Sequence, residues 1–209
     1  MPVVVLVPGL GVRRYLSAAA DALGSRGFDA RLLPAPGSTS APADLREYGG
    51  WLASRSRCDV LLGLSVGAQA AALAARGQDV GRLVLSGPTV DPRVRSAPRL
   101  LGAWLRGLPR EPARLGLEQL PDWVDAGARR LATTFRSALA VPTERVLDGV
   151  RAPVTIVRGT HDVVTSHAWA AALAAGGAGR ELVLVPGATH SWPYGDEERF
   201  ADLVAGLSR

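Results

Sequence analysis

The sequence predicts an α/β protein: a mainly parallel sheet of about six strands, helices on both of its faces, and a helical segment inserted over one end. Three observations carry this. Short Val-, Leu- and Ile-rich runs alternate with Ala-rich amphipathic stretches along most of the chain. The strand-like runs are apolar at successive positions, as strands covered on both faces are. Between residues 90 and 150 the alternation stops and no strand is evident, over a length too great for an ordinary loop.

The elements follow in order. Val3 to Val7 is a β-branched run closed by Pro8-Gly9. Tyr15 to Arg26 carries Leu16, Ala19, Ala20 and Leu23 at helical spacing, and Gly27 stops it. Ala30 to Leu33 is a short strand that runs into the turn-rich PAPGSTSAP. Ser40 to Arg55 reads as a helix with Ser40 as cap and Pro42 in its first turn, weakened by Gly49-Gly50. Val60 to Leu64 is the next strand, Val66 to Arg76 the next helix, and Arg82 to Ser86 a strand ended by Gly87-Pro88.

Pro98, Pro109, Pro112, Pro121 and Pro142 then cut the region up to Val150 into short helical pieces. It is expected to fold as a cap (90–150) over a core made of residues 1–89 and 151–209. Val154 to Val157, Ser166 to Ala175, Glu181 to Val185 and Asp196 to Leu207 complete the alternation as strand, helix, strand and helix. No internal repeat and no interdomain linker appears.

The chain has 209 residues, enough for one domain with a sizeable core. All 24 basic residues are Arg, and the net charge is +5. With abundant Ala, Gly and Pro, this looks like the residue usage of a high-GC genome. It is weak evidence for a nucleic-acid partner, and no nucleic-acid motif accompanies it. Cys58 is the only cysteine, so an internal disulfide is excluded and a reducing compartment is expected. The opening MPVVVLVPG lacks a basic segment, and no run approaches the ~18 apolar residues of a membrane helix. A soluble cytoplasmic protein is expected, with no membrane partner.

One turn carries chemistry. Gly63-Leu64-Ser65-Val66-Gly67 lies where a buried strand passes into a helix. With 24 Gly and 13 Ser in the chain, roughly 0.17 GxSxG matches arise by chance, so the bare motif is weak. Its setting strengthens it: a tight strand-to-helix turn strains the serine backbone, and side chains two residues before and after would collide with it. The Val66 N–H, at the helix start, has no intrahelical acceptor and faces negative charge developing near Ser65.

A serine hydroxyl needs a base. Of the three histidines, His190 follows the last strand, while His161 and His167 flank Asp162 after the preceding one. In a parallel sheet all strand C-termini share one edge. Ser65, Asp162 and His190 therefore converge there, in the order nucleophile, acid, base. His161 reads as structural, His167 as an unremarkable first-turn residue, and Cys58 as packing.

In these features the chain resembles the α/β-hydrolase family over essentially its whole length. GLSVG stands as the nucleophile elbow, GTHDVV as the acid loop, PGATHSW as the base loop and PGLG as the oxyanion loop. The resemblance implies the α/β-hydrolase fold. It implies that Ser65 attacks, His190 moves the proton and Asp162 orients the imidazole, with the Leu10 and Val66 N–H groups as oxyanion hole. Asp91 is a rival acid, since some relatives carry theirs after the corresponding strand. Two departures stand out. Pro8-Gly9 replaces the His-Gly common at the oxyanion loop, and the chain begins at what matches the family's third strand.

Between Arg93 and Arg114 there are six arginines and one acid, Glu111. Leu100, Leu101, Trp104, Leu105 and Leu108 share one helix face, with Arg99, Arg106 and Arg110 away from it. The apolar face is expected to roof an acyl pocket that includes Trp104, and the arginines to meet solvent or an acidic acyl-carrier partner. Trp192 is expected to bound the site and Arg13 to meet a substrate carboxylate. Trp123 and Phe135 are either pocket or core.

The function expected is a serine hydrolase acting on an ester or thioester of a mainly apolar small molecule through an acyl-enzyme. No metal or organic cofactor is implied. The competing readings are a cyclase, lyase or isomerase on the same scaffold, and a non-catalytic binding module.

Overall fold

The computed structural model describes residues 1–55 and 57–208. Six strands form one sheet: β1 (Val3–Val7), β2 (Asp29–Leu32), β3 (Cys58–Leu64), β4 (Val80–Ser86), β5 (Val154–Gly159) and β6 (Arg180–Val185). Their order is β2-β1-β3-β4-β5-β6, and every pair is parallel. The chain first builds outward from β1 to β2, then crosses back to β3. The crevice beside β3 is thus the place where the winding reverses, and it opens at the strand C-termini.

Alternation along the strands divides the core in two. Val5, Val7, Leu61, Leu83, Leu85 and Ile156 face one side. They meet α2 (Leu45–Ala53), α3 (Val66–Ala75) and α8 (His167–Ala175). Val4, Leu6, Val60, Leu62, Val84 and Val157 face the other, against α1 (Ser17–Ser25) and α9 (Glu197–Leu207). Leu23 and Phe200 are fully buried on this second side, each worth about 1.5–3 kcal/mol of transfer free energy. Every residue of α3 except Leu73 is buried. Its small side chains let the helix lie close against the sheet, so Ser65 at its start cannot drift.

One helix start differs from the sequence reading. The second helix begins at Leu45 rather than Ser40. Its cap is Asp44, whose carboxylate accepts the N–H groups of Arg46 at 2.8 Å and Glu47 at 3.3 Å. The preceding residues are drawn instead to the inserted helices: Thr134 Oγ1 donates to the Ala43 carbonyl at 2.7 Å, and the Arg130 guanidinium reaches the Ser38 and Ala41 carbonyls.

Between β4 and β5 lie α4 (Ala97–Gly107), α5 (Ala113–Ala126), α6 (Ala128–Ala140) and α7 (Thr143–Leu147). Pro121 does not divide this segment as expected; it sits inside α5. The insertion is tied down at its margins by polar contacts. Buried Gln69 of α3 donates to the Ala138 and Val141 carbonyls at 3.0 and 3.1 Å, at the end of α6. Asp122 of α5 accepts the backbone N–H groups of Arg13 at 2.7 Å and Arg14 at 2.9 Å. Among the described residues, no helix is long and apolar enough to cross a membrane.

Candidate active site

Ser65 joins β3 to α3 with φ 55° and ψ −121°, a conformation ordinary L-residues avoid. The flanking glycines make it possible. A Cβ at Gly67 would overlap the Val7 and Pro8 carbonyl oxygens, and one at Gly63 would lie 2.6 Å from Ala68 Cα. Strand, turn and helix are in contact at both points, and the turn holds the serine side chain out at the sheet edge.

His190 Nε2 stands 3.0 Å from Ser65 Oγ, and His190 Nδ1 stands 2.9 Å from Asp162 Oδ2. An ionised carboxylate only accepts. Nδ1 therefore carries the proton in the neutral ring, and Nε2 is left to accept from the serine hydroxyl. The other Asp162 oxygen accepts the N–H groups of Val164 at 2.8 Å and Thr165 at 2.9 Å. Buried Arg158 braces the same loop, donating to the Thr165 and Asp162 carbonyls at 2.7 Å each.

These contacts set the charge states. Burial works against ionised Asp162, but His190 and the two loop N–H groups outweigh it and hold the carboxyl below its ordinary value. Burial likewise disfavours protonated His190. The Asp162 carboxylate overcomes this by charge and hydrogen bond, Glu111 adds its charge, and the imidazole lies above its ordinary 6.5.

Gly87, at the end of β4 with φ +57°, explains how the imidazole and its carboxylate partner come so close to the strand end. A Cβ there would lie 3.0 Å from the His190 ring and 3.4 Å from Asp162 Oδ2. Asp91 is not the partner of the base. It is buried, caps the turn at Arg93 with a 2.9 Å bond, and accepts from Ser166 Oγ at 3.0 Å.

A pocket of about 580 Å³ opens over Ser65 between the sheet edge and the insertion. Leu10 and Val66 line it beside Ser65. Among the described residues, neither of their backbone N–H groups has an acceptor. Trp104, Leu108, Trp123, Leu131 and Phe135 supply apolar walls. Trp104 and Trp123 meet edge-on at 5.9 Å, and the Trp123 indole donates to the Leu10 carbonyl at 3.0 Å. Leu100, Leu101 and Leu108 of the expected roof face the pocket, while Leu105 does not line it. Tyr15 also lines it, its hydroxyl beside Gly9 and its phenol pushed up by burial.

Two expected pocket residues lie elsewhere. Trp192 is turned beneath the sheet edge, donating to Ser86 Oγ at 3.1 Å and packing on Phe200 at 5.6 Å. Arg13 points away from the site: its exposed guanidinium donates to the Leu32 carbonyl at 3.1 Å. His161 and His167 are exposed, and Cys58 is half-buried at the start of β3, its thiol raised to about 11 by burial. Among the described residues, no group of three or more His, Cys, Asp or Glu side chains is gathered as metal ligands would be.

Glu111 was not foreseen as part of the site. It lines the pocket just before α5, and its carboxylate accepts from the Thr189 hydroxyl and the His190 and Ser191 backbone N–H groups. Nothing local in the sequence marks it, because its partners lie 78 to 80 residues away.

A parallel sheet wound outward from β1, a strained serine at the crevice, and acid and base loops from the next strand ends together define a hydrolase-type α/β architecture. The chain belongs to the alpha/beta hydrolase family, whose model matches residues 4–203. Solved structures share the fold at low identity. A hydrolase from Oleispira antarctica is 13% identical with a TM-score of 0.80, covering 100% of this chain and 91% of that one. An esterase from Exiguobacterium antarcticum and a bromoperoxidase from Bacillus anthracis are each 16% identical with a TM-score of 0.76, covering 100% of this chain and 92% of theirs. A search of curated proteins found no match. At such identities the likeness is one of fold, and an esterase and a bromoperoxidase on one frame show that the frame does not choose the reaction.

Proposed function

We propose that this chain is a serine hydrolase that cleaves a carboxylic ester or thioester of a mainly apolar small molecule through an acyl-enzyme. The observation that carries this reading is the continuous relay Ser65–His190–Asp162, at 3.0 and 2.9 Å, opening into a largely apolar pocket. Ser65 Oγ attacks the acyl carbonyl carbon while His190 Nε2 takes its proton. Asp162 holds the ring and stabilises the imidazolium. The Leu10 and Val66 N–H groups receive the oxyanion, a term worth about 3–4 kcal/mol per donor in such sites.

Collapse of the tetrahedral intermediate expels the alcohol or thiol, which takes the proton back from His190. Water, deprotonated by the same ring, then attacks the acyl carbon and frees the acid and Ser65. The acyl group lies against Trp104, Trp123 and Phe135, which line the pocket. The exposed arginines Arg99, Arg106 and Arg110 of the insertion suit an acidic carrier of the acyl group, and for this reason thioesters belong in the test.

The test is a fluorophosphonate label followed by a substrate series. Wild type is expected to label and Ser65→Ala not to. Acyl esters and acyl thioesters of graded chain length then report which leaving group and acyl size the pocket accepts. Full turnover of a substrate by Ser65→Ala would remove the acyl-enzyme for that substrate and favour lyase or isomerase chemistry in the same pocket.

A further inference from the structure

We infer that Glu111 is a positioning residue that couples the seating of the inserted helices to the orientation of the base, His190. The inference rests on the proposed roles of Ser65 and His190 and concerns what holds His190 in place. Its basis is the way the base loop is built. His190 begins a turn after β6, and such a turn exposes successive N–H groups at its start. No residue of the loop itself receives them. The receiver comes from the insertion: Glu111 Oε1 accepts His190 N–H at 3.0 Å, and Oε2 accepts Thr189 Oγ1 at 3.1 Å and Ser191 N–H at 3.3 Å. One carboxylate thus binds three consecutive residues of the loop.

The placement gives this bond its meaning. Glu111 sits between α4 and α5, in the wall of the pocket. If this segment lifts to admit a substrate, the turn under His190 loses its acceptor. If it reseats, the backbone of the base is fixed again. A carboxylate is suited to this task because its two oxygens accept several hydrogen bonds at once, and bonds to an ionised acceptor are stronger than neutral ones. The groups around His190 are Asp162 from the β5–α8 loop and Ser65 from the elbow, which bond the ring, Gly87 from the end of β4, which lies against it, and Glu111 from the insertion, which binds the backbone N–H. Of these only Asp162 and Glu111 carry charge. Removing the Glu111 charge leaves the Asp162 pair intact and lowers the affinity of His190 for its proton.

The rate of fluorophosphonate inactivation across pH tests this without a known substrate, in wild type, Glu111→Gln, Glu111→Ala and Tyr194→Phe. The Tyr194 hydroxyl bonds Glu118 of α5 at 2.8 Å. That last variant removes a different bond between the base loop and the insertion and leaves every Glu111 contact and the charge beside His190 in place. Glu111→Gln keeps an acceptor but not the charge. Its acid limb is expected to move to lower pH while its plateau falls less than about threefold, as suits a neutral bond replacing a charged one. Glu111→Ala is expected to show the same shift with a plateau about tenfold or more lower, since small misplacements of catalytic groups cost that much. Tyr194→Phe should move neither limb nor plateau.

An NMR titration of His190, one of three histidines, reads the same shift without serine reactivity. Should wild type fail to label, the Ser65 reading falls, while the NMR shift still decides for or against Glu111. An acid limb and ring titration unchanged in both Glu111 variants, with the plateau unchanged in Glu111→Ala, would overturn the inference. If Glu111→Ala does not fold, Glu111→Gln carries the decision alone.

Discussion

Trp123 and Leu10 are joined side chain to backbone: the indole N–H donates to the Leu10 carbonyl at 3.0 Å. Trp123 belongs to α5, and Leu10 belongs to the loop that follows β1. A wall of the pocket and the loop facing Ser65 are therefore held as one piece, although 113 residues separate them.

Trp123→Phe tests this link. It keeps an aromatic wall but removes the donor, at a cost of about 1 kcal/mol. Acylation by a fluorophosphonate is expected to slow about fivefold, with little change in the thermal midpoint. A fall in midpoint with the rate unchanged would instead mean that the bond serves only stability.

In the proposed reaction the histidine sets the pH dependence. His190 acts as a base only when neutral, and Asp162 keeps its folded value above 6.5. The acid limb of kcat/KM is therefore expected above 6.5. Asp162→Asn should lower kcat by about 10³–10⁴-fold by losing the required tautomer. The two groups affect stability in opposite senses. Asp162 is held below its ordinary value, so its contribution is present above about pH 4 and is lost as pH falls through the lowered native value. His190 is raised, so its contribution is full below the unfolded value and is lost as pH rises through the raised one. Denaturant melts across pH, compared between wild type and Asp162→Asn, measure both.

Gly87→Ala is expected to damage the site more than the fold. The new methyl would sit 3.0 Å from the His190 ring, on a backbone with φ +57°. Strain of about 1–2 kcal/mol is expected from the backbone, and about 10²-fold in acylation rate from displacement of the ring. A urea titration and an inactivation rate on the same sample separate the two.

Gln69→Leu should act the other way. Its amide supplies the Ala138 and Val141 carbonyls from a fully buried position. Losing it is expected to cost about 2–3 kcal/mol by leaving buried acceptors unpaired. The inactivation rate of the folded fraction should stay close to that of wild type.

The core was legible in the sequence because strand runs and helix spacings are local signals. All six strands stand within two residues of their expected positions. That Ser65, Asp162 and His190 would meet was legible for a related reason: each follows a strand, and parallel winding brings strand ends to one edge. What depended on tertiary contact was not. Trp192 lies two residues from His190 in sequence, yet the turn between them sends its ring under Ser86. Arg13 follows the loop at Leu10, but Asp122 captures its backbone and Leu32 its guanidinium. Ser40 has cap chemistry, but the contacts from α6 leave that role to Asp44. Val90 adopts φ 65°, which a β-branched residue rarely does, and nothing in its neighbours announces it.

The position of β6 has a consequence for the newly made chain. The strand that leads to His190 is the outermost on its side and the last of the six to be synthesised. Ser65 emerges from the ribosome far earlier, on a strand that pairs in the middle of the sheet. Domains fold as their segments become available, so the elbow can form while the base is still missing. A hydroxyl without its base is nearly inert. In the proposed mechanism the nascent protein therefore carries an unarmed serine until β6 and the loop that follows it have docked.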